Sequence, residues 1–256
     1  MPTAGTVIAI SGVIATVELT VVVVLGILVH GKRRLPGLTR SGGLRLHRFG
    51  RPGVLIEEVR AAGLTGRGGV SFPACRKMAA VAAQPGPAVV VGNGAEGEPA
   101  SDKDKTLLRQ APHLVLDGLQ LAAEAVRAGR AVLYVSRGSD LTQFLSQEIA
   151  QRRAGQLDQV PAELAAGPPR FLAGEETALV SVISGGSALP TFTPPRVFER
   201  GVQRHPNLVL NVETLAHLAL IARHGVRLHQ QGDCSASTGE PFLPVPATPA
   251  AESDWR

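Results

Sequence analysis

The chain has 256 residues, enough for one sizeable domain plus an extra segment, and its 44% hydrophobic content can supply a buried core. Its net charge is +5, but the only tight basic cluster is Lys32-Arg33-Arg34 and aromatic residues make up only 4%. We therefore expect no nucleic-acid partner. The two cysteines, Cys75 and Cys234, lie in no C-x-x-C motif. They form neither a disulfide framework nor an iron–sulfur ligand set, and they fit a reducing compartment.

Residues 6–29 are almost continuously apolar, and Glu18 is their only charged residue. As a helix this segment would extend roughly 36 Å, enough to cross a bilayer core of about 30 Å, so we expect one transmembrane helix. The basic cluster after it predicts that the C-terminal part lies on the cytoplasmic side of the membrane. An isolated buried helix is the alternative, which the length of the segment disfavours.

Composition divides the chain into consecutive parts. We expect a short N-terminus (1–5), the transmembrane helix (6–29), a basic, Gly-rich linker (30–52), an α/β domain (53–225) and a polar, Pro-rich, disordered tail (226–256).

Within the domain, helical periodicity alternates with short apolar runs. The periodicity predicts helices over 54–62, a short stretch after Pro73, 102–110, 113–128 (ending at Gly129), 141–153, 174–183 and 212–223. The apolar runs predict strands at 88–91, 131–135 and 208–210, while 155–169 is ambiguous. This order predicts a parallel sheet that binds ligands beyond the carboxyl ends of its strands, where Asn93 lies.

Two stretches carry the chemistry of the predicted site. Residues 63–73 read G-L-T-G-R-G-G-V-S-F-P, and glycines of this density let backbone N–H groups approach a phosphate. We call this stretch the glycine turn. Residues 93–99 read N-G-A-E-G-E-P and supply an amide and carboxylates that can hold sugar hydroxyls or a heterocycle edge. Together they predict a nucleotide or flavin site.

Several motifs occur in a fixed order between residues 54 and 225: L-I-E-E-V, G-L-x-G-R-G-G-x-x-F-P, N-x-x-E-G-E-P with Lys103-Asp104 after it, G-E-E-T-A-L and N-V-E-T-L-A. In this order they resemble the flavin-binding 51 kDa (F-type) subunit of NADH:quinone oxidoreductase, or complex I. Similar modules occur in NAD-reducing hydrogenases, NAD-linked formate dehydrogenases and the Rnf complex C subunit. The resemblance implies a Rossmann-like parallel sheet flanked by helices, FMN as cofactor and NADH as substrate.

The resemblance also implies roles for individual residues. FMN-binding positions would be Gly66, Arg67, Gly68, Gly69, Lys77, Asn93, Glu96, Gly174, Glu175, Asn211 and Thr214. NADH-binding positions would be Phe72, Glu98 and Glu176. Hydride transfer from NADH needs no protein nucleophile, so we expect no catalytic side chain and no metal ligand.

Structural roles remain open for several of these residues. Glu175 and Glu176 could be favourable acids in the first turn of a helix, and Asn211 could be only a helix cap. Glu96 and Glu98 could be solvated loop acids.

The sequence departs from the family at identifiable positions, most of them around the nucleotide. The departures are Ser71 for a glycine, Ala95 for an acid, Phe171 for a tyrosine, Thr193 for a lysine, Arg196 for an aromatic residue and Leu210 for an asparagine. The family's iron–sulfur domain also has no counterpart here, so we expect no iron–sulfur cluster in this chain. Electrons would leave to an iron–sulfur, haem or quinone-reactive partner.

Three functions are compatible with these patterns. The first is a membrane-anchored, FMN-dependent NADH dehydrogenase-type electron-transfer subunit. The second is a degenerate relative that keeps the fold as a structural or interaction subunit. The third is a module that senses NAD(H) without flavin reduction.

Overall fold

The computed structural model describes residues 52–67, 71–96, 101–138 and 140–226. The expected transmembrane helix at 6–29, nearly all of the linker and the tail beyond 226 lie outside the described residues, as do Gly68, Gly69 and Glu98. Among the helices within the described ranges, none is long and apolar enough to cross a bilayer.

The core of the fold is a parallel sheet, as the sequence predicts. Its strands are β1 (Ala88–Gly94), β2 (Ala128–Ser136), β3 (Ala162–Gly167) and β4 (Asn207–Asn211), in the spatial order β3-β2-β1-β4. All three neighbouring pairs are parallel. The α/β fold with a parallel sheet flanked by helices is therefore confirmed.

The strand order reverses between β1 and β4. From β1 the chain proceeds outward through β2 to β3 and then returns to place β4 on the other side of β1. In open α/β sheets, ligands bind at such a switch point, in the crevice beyond the carboxyl ends of the strands. The switch point here is formed by the ends of β1 and β4.

Helices cover both faces of the sheet. They are α1 (Pro52–Ala61), α2 (Ala74–Ala82), α3 (Lys103–Gln110), α4 (Pro112–Ala125), α5 (Asp140–Ala154), α6 (Glu176–Ile183) and α7 (Val212–His224). The larger core contains α4, α7 and one face of the strands, including Val90 and Leu208. The smaller core contains the other face, including Val91 and Val209, together with Leu179 of α6.

Helices α4 and α7 approach each other closely at Gly118. A Cβ atom at this position would lie 1.9 Å from the Leu215 carbonyl oxygen, so only glycine fits against the α7 backbone. On the sheet side, Leu215 Cδ1 would lie 2.9 Å from a Cβ at Gly92. Gly118 in α4 and Gly92 in β1 therefore let α7 pack closely against α4 and the sheet. This packing fixes the position of the N-terminus of α7.

Some predicted element boundaries were wrong. The helix expected to run to 128 ends at Ala125, and Gly129 lies inside β2 rather than ending a helix. The turn between them is made by Arg127, which adopts a left-handed φ of +53°. The ambiguous stretch 155–169 contains the edge strand β3. The helix expected from 174 is a 3₁₀ helix (Phe171–Gly174) followed by α6.

Candidate functional site

Asn93 and Asn211 meet at the switch point. They are direct partners in the register of β1 and β4, one residue before the end of β1 and at the last residue of β4. The Asn211 amide nitrogen donates to the Asn93 carbonyl oxygen (3.4 Å). Two residues that lie 118 positions apart in the sequence are thus brought together by strand register.

The Asn93 side chain joins the end of β1 to the 3₁₀ helix at 171–174. Its Nδ2 atom donates to the Gly174 carbonyl oxygen (2.8 Å), and its Oδ1 atom accepts from the Ala95 N–H (3.1 Å). A Cβ atom at Gly174 would lie only 2.9 Å from the Ala95 carbonyl oxygen. The absence of a side chain at 174 therefore lets the backbones of Ala95 and Gly174 lie close together beyond the end of β1.

Asn211 is the N-cap of α7, which is the structural role that the sequence left open for it. Its Oδ1 atom accepts from the Glu213 N–H (2.9 Å), and its Nδ2 atom donates to Asp104 Oδ2 (2.7 Å). A side-chain oxygen at this position satisfies one of the unpaired N–H groups of the first helical turn. Asn211 thus fixes the start of α7 and connects it to α3.

The glycine turn is closed at its base by backbone contacts. The Gly66 N–H donates to the Phe72 carbonyl oxygen (2.8 Å), and Thr65 and Pro73 form an antiparallel bridge. The Phe72 side chain is 45% exposed. Ser71 adopts a φ of +49°, so the backbone keeps the left-handed conformation that glycine adopts most easily. The base of the turn is therefore closed, with a strained serine at position 71.

Arg67 attaches the glycine turn to the first turn of α7. Its backbone N–H donates to the hydroxyl oxygen of the fully buried Thr214 (3.0 Å), and its Nε atom lies 4.0 Å from Glu213 Oε1. Two predicted FMN-binding residues, Arg67 and Thr214, are thus in direct contact.

Lys77 connects three elements of the site. It lies on α2, and its Nζ atom donates to the Val209 carbonyl oxygen of β4 (3.2 Å) and forms an ion pair with Glu176 at the start of α6. A predicted FMN-binding cation and a predicted NADH-binding carboxylate therefore neutralise each other in this structure.

Glu96 is held by one carboxylate oxygen. Its Oε1 atom accepts from the Ser101 hydroxyl and from the Asp104 N–H (3.4 Å) near the N-terminus of α3. Its Oε2 atom is buried and has no hydrogen-bond partner among the described residues. Buried polar atoms are normally hydrogen-bonded, so this oxygen marks a point where a ligand donor would be stabilised.

Glu175 has a structural role as the N-cap of α6. Its Oε2 atom accepts from the Thr177 N–H (2.9 Å), the Ala178 N–H (3.0 Å) and the Thr177 hydroxyl (2.6 Å). Its proposed contact with a cofactor stays a prediction.

A partly buried charged cluster lies next to Asn211 and was not among the predicted site residues. We call Lys103, Asp104 and Glu213 the charged floor. Lys103 Nζ lies 2.6 Å from Asp104 Oδ1 and 3.1 Å from Glu213 Oε2. The three residues occur within the K-D and N-V-E-T motifs, but their contact depends on how α3 packs against α7, which the sequence does not display.

Burial and ion pairing oppose each other in the charged floor. Burial raises the pKa of the Asp104 carboxyl above its ordinary value, although Lys103 and Asn211 counteract part of that effect. Burial alone would lower the pKa of Lys103, but the carboxylates of Asp104 and Glu213 raise it. Burial would likewise raise the pKa of Glu213, yet hydrogen bonds from His217 and Lys103 and their charges lower it to about 2. Glu213 is therefore ionised at neutral pH.

The departures from the family pattern fall in different environments. Leu210 is buried in the larger core, where an asparagine would have to be desolvated. Thr193 and Arg196 are exposed in the loop after α6, and the Arg196 N–H donates to Glu199 (2.8 Å).

No group of His, Cys, Asp and Glu side chains suited to a metal ion occurs in the described part of the chain.

Comparison with known proteins identifies the module. The sequence matches the Nuo51 FMN-binding domain model over residues 59–220. It is 28% identical over 204 residues to the F-type subunit of the NADH-quinone oxidoreductase of Aquifex aeolicus (strain VF5), with 76% of this chain and 48% of that relative aligned. It is 32% identical over 200 residues to the mitochondrial NADH dehydrogenase (ubiquinone) flavoprotein 1 of Dictyostelium discoideum, with 73% and 40% aligned. The chain thus spans about half the length of the curated relatives it matches.

The fold is also similar to that of chains in solved structures of an NAD+-reducing hydrogenase. A chain of the NAD+-reducing NiFe hydrogenase in the H2-reduced state aligns with a TM-score of 0.64 and 33% sequence identity, covering 69% of this chain and 32% of that chain. The air-oxidized state of that enzyme aligns with a TM-score of 0.65 and 34% identity. Because the family model covers more than half of the sequence, this chain belongs to the Nuo51 FMN-binding domain family.

Proposed function

We propose that this chain binds FMN at the switch point, accepts a hydride from NADH onto that FMN, and passes the two electrons singly to a partner protein. The observation that carries the proposal is that Arg67 of the glycine turn, the end of β1 and the N-terminus of α7 meet at the switch point. Switch points of this kind are where open α/β sheets bind nucleotides.

The described residues fit FMN chemically. Arg67 and Lys77 are cations that contact α7 and β4, near where the glycine turn would wrap the phosphate, and each is also paired with a carboxylate, Glu213 and Glu176 respectively. The buried, unpartnered oxygen of Glu96 can accept a hydrogen bond from a hydroxyl or a ring N–H. The close approach at Gly174 leaves backbone rather than side chain facing the ligand.

The protein would contribute binding and orientation. When bound, FMN supplies the hydride acceptor and the single-electron donor. Asn93, Glu96 and the glycine turn would hold it, while Glu176 and Glu98 would contact NADH. Lys77 is paired with Glu176. Binding of FMN and NADH would therefore either break this ion pair or add contacts to both of its members.

Membrane attachment and location are further parts of the proposal. Residues 6–29 would anchor the chain and place its domain on the cytoplasmic side, on the strength of their apolar sequence and the basic flank at 32–34. The redox partner would be an iron–sulfur, haem or quinone-reactive protein.

The test uses the full chain purified in detergent. FMN titration should quench flavin fluorescence saturably, and anaerobic NADH should bleach the flavin absorption band. A chain that binds no FMN contradicts the proposal. FMN binding without bleaching would instead support the degenerate alternative, which the strained Ser71 favours.

A further inference from the structure

The Glu213 carboxylate lies among three basic side chains from three parts of the chain. It is 3.1 Å from Lys103 Nζ on α3, 3.7 Å from His217 Nε2 one turn later on α7, and 4.0 Å from Arg67 Nε in the glycine turn. The Glu213 side chain is only 15% exposed. Shielding from solvent strengthens charge interactions of this kind relative to those of exposed pairs.

The same helical turn also holds the backbone of Arg67. Thr214, the next residue, accepts the Arg67 N–H at 3.0 Å and is completely buried. The Arg67 main chain is therefore hydrogen-bonded to Thr214 of α7, and its side chain lies within ion-pair distance of the Glu213 carboxylate. The backbone contacts at Gly66–Phe72 and Thr65–Pro73 close the turn on itself, whereas these two contacts place it against α7.

We propose that Glu213 is a positioning residue for Arg67: its carboxylate holds the Arg67 side chain against the N-terminus of α7 before any ligand binds. The effect on FMN rests on the proposed function, whereas the positioning of Arg67 does not. Glu213 would raise FMN affinity without touching FMN.

Position 213 requires a carboxylate because the cations Arg67 and Lys103 both lie next to it. A neutral side chain would remove the negative charge that Glu213 offers to Arg67 and would take one of the two carboxylates away from Lys103. Fixing a side chain on binding costs conformational entropy, so a contact that already holds Arg67 in place removes that cost from ligand binding.

The test compares Glu213→Gln with a matched control, Glu148→Gln. Glu148 is a carboxylate of similar exposure (17%) that contacts His113 on a different helix. Hydrogen exchange of peptides covering residues 63–73 is measured without flavin. Exchange there should be faster in E213Q and unchanged in E148Q. Wild-type exchange in E213Q would overturn the proposal.

FMN affinity gives the second measurement. The Kd for FMN should rise about tenfold in E213Q, equivalent to ~1.4 kcal/mol, while the KM for NADH at saturating FMN stays within about twofold. A double variant with Arg67→Gln should bind FMN no more weakly than R67Q alone, because Glu213 acts through Arg67. A further loss in the double variant would overturn the proposal.

Two further outcomes of the test are also decisive. If E213Q does not fold, R67Q replaces it, since the Arg67 side chain is partly exposed (29%), and faster exchange at 63–73 is again the supporting result. If the wild-type chain binds no FMN, the proposed function fails, but the exchange experiment still decides the role of Glu213.

Discussion

The Asn211 side chain accepts a hydrogen bond from the Glu213 N–H through Oδ1 and donates one to the buried Asp104 carboxylate through Nδ2. A single amide group therefore joins the start of α7 to α3. The asparagine therefore has a structural role that precedes any role in ligand binding. Its two functional atoms can be tested separately by substitution.

Asn211→Ala should lower the free energy of unfolding by about 1–2 kcal/mol, because it removes the helix cap and leaves Asp104 without one donor. Asn211→Ser keeps a capping oxygen and loses the donor to Asp104, so it should be less destabilising. Urea unfolding followed by circular dichroism measures both. Equal loss in the two variants would show that the cap contributes little.

Ser71→Gly should increase the free energy of unfolding by about 0.5–1 kcal/mol, since glycine adopts the φ of +49° without strain. Ser187→Gly is the matched control, because Ser187 is also exposed but does not have a positive φ. That substitution should be destabilising through chain entropy. Thermal unfolding of both variants distinguishes strain relief from a general effect of glycine.

The stability of the protein should depend on pH through Glu213. Its folded-state pKa of about 2 lies below its ordinary value of 4.5, so ionised Glu213 stabilises the fold above that ordinary value, and the contribution is lost as the pH falls toward 2. Between pH 7 and pH 3 the wild type should lose ~2 kcal/mol more than Glu213→Gln. Urea unfolding at the two pH values measures the difference. Parallel losses would contradict the prediction.

Gly118→Ala should lower the free energy of unfolding by at least about 2 kcal/mol, because the new Cβ would meet the Leu215 backbone at 1.9 Å and push α7 away from α4. Gly53→Ala is the control: it is an exposed helical glycine with no atom within 4 Å of an added Cβ. That variant should be stabilised by up to ~1 kcal/mol. Chemical denaturation of the pair provides the measurement, and similar values for both would refute the close approach.

Much of the fold follows from local sequence. The apolar runs at 88–91, 131–135 and 208–210 lie in β1, β2 and β4, because buried parallel strands read as continuous apolar segments. The edge strand β3 (Ala162–Gly167) is alanine-rich and only partly buried, so it lacks that signal. The turn at Arg127 was missed because a left-handed arginine has no sequence signature.

The sequence likewise predicts which strand ends form the site, but not the ion pairs beside it. That Asn93 and Asn211 would share one sheet edge follows from parallel strands and the position of each residue at a strand end. The ion pair between Lys103 and Glu213 does not follow, because it joins residues far apart in the sequence through the packing of α3 against α7. Contacts of Gly68, Gly69 and Glu98 stay predictions, since these residues lie outside the described ranges.

The glycine at 118 has a consequence for how the crevice responds to ligand. Since α7 is already in contact with α4 there, the first turn of α7, which contains Glu213 and Thr214, is held in a fixed position relative to α4. A helix held in this way does not have to move when a ligand binds, so its N-terminus would add little rearrangement cost to binding. Substitutions deep in the α4–α7 contact would then reduce ligand affinity without altering a single ligand-facing atom.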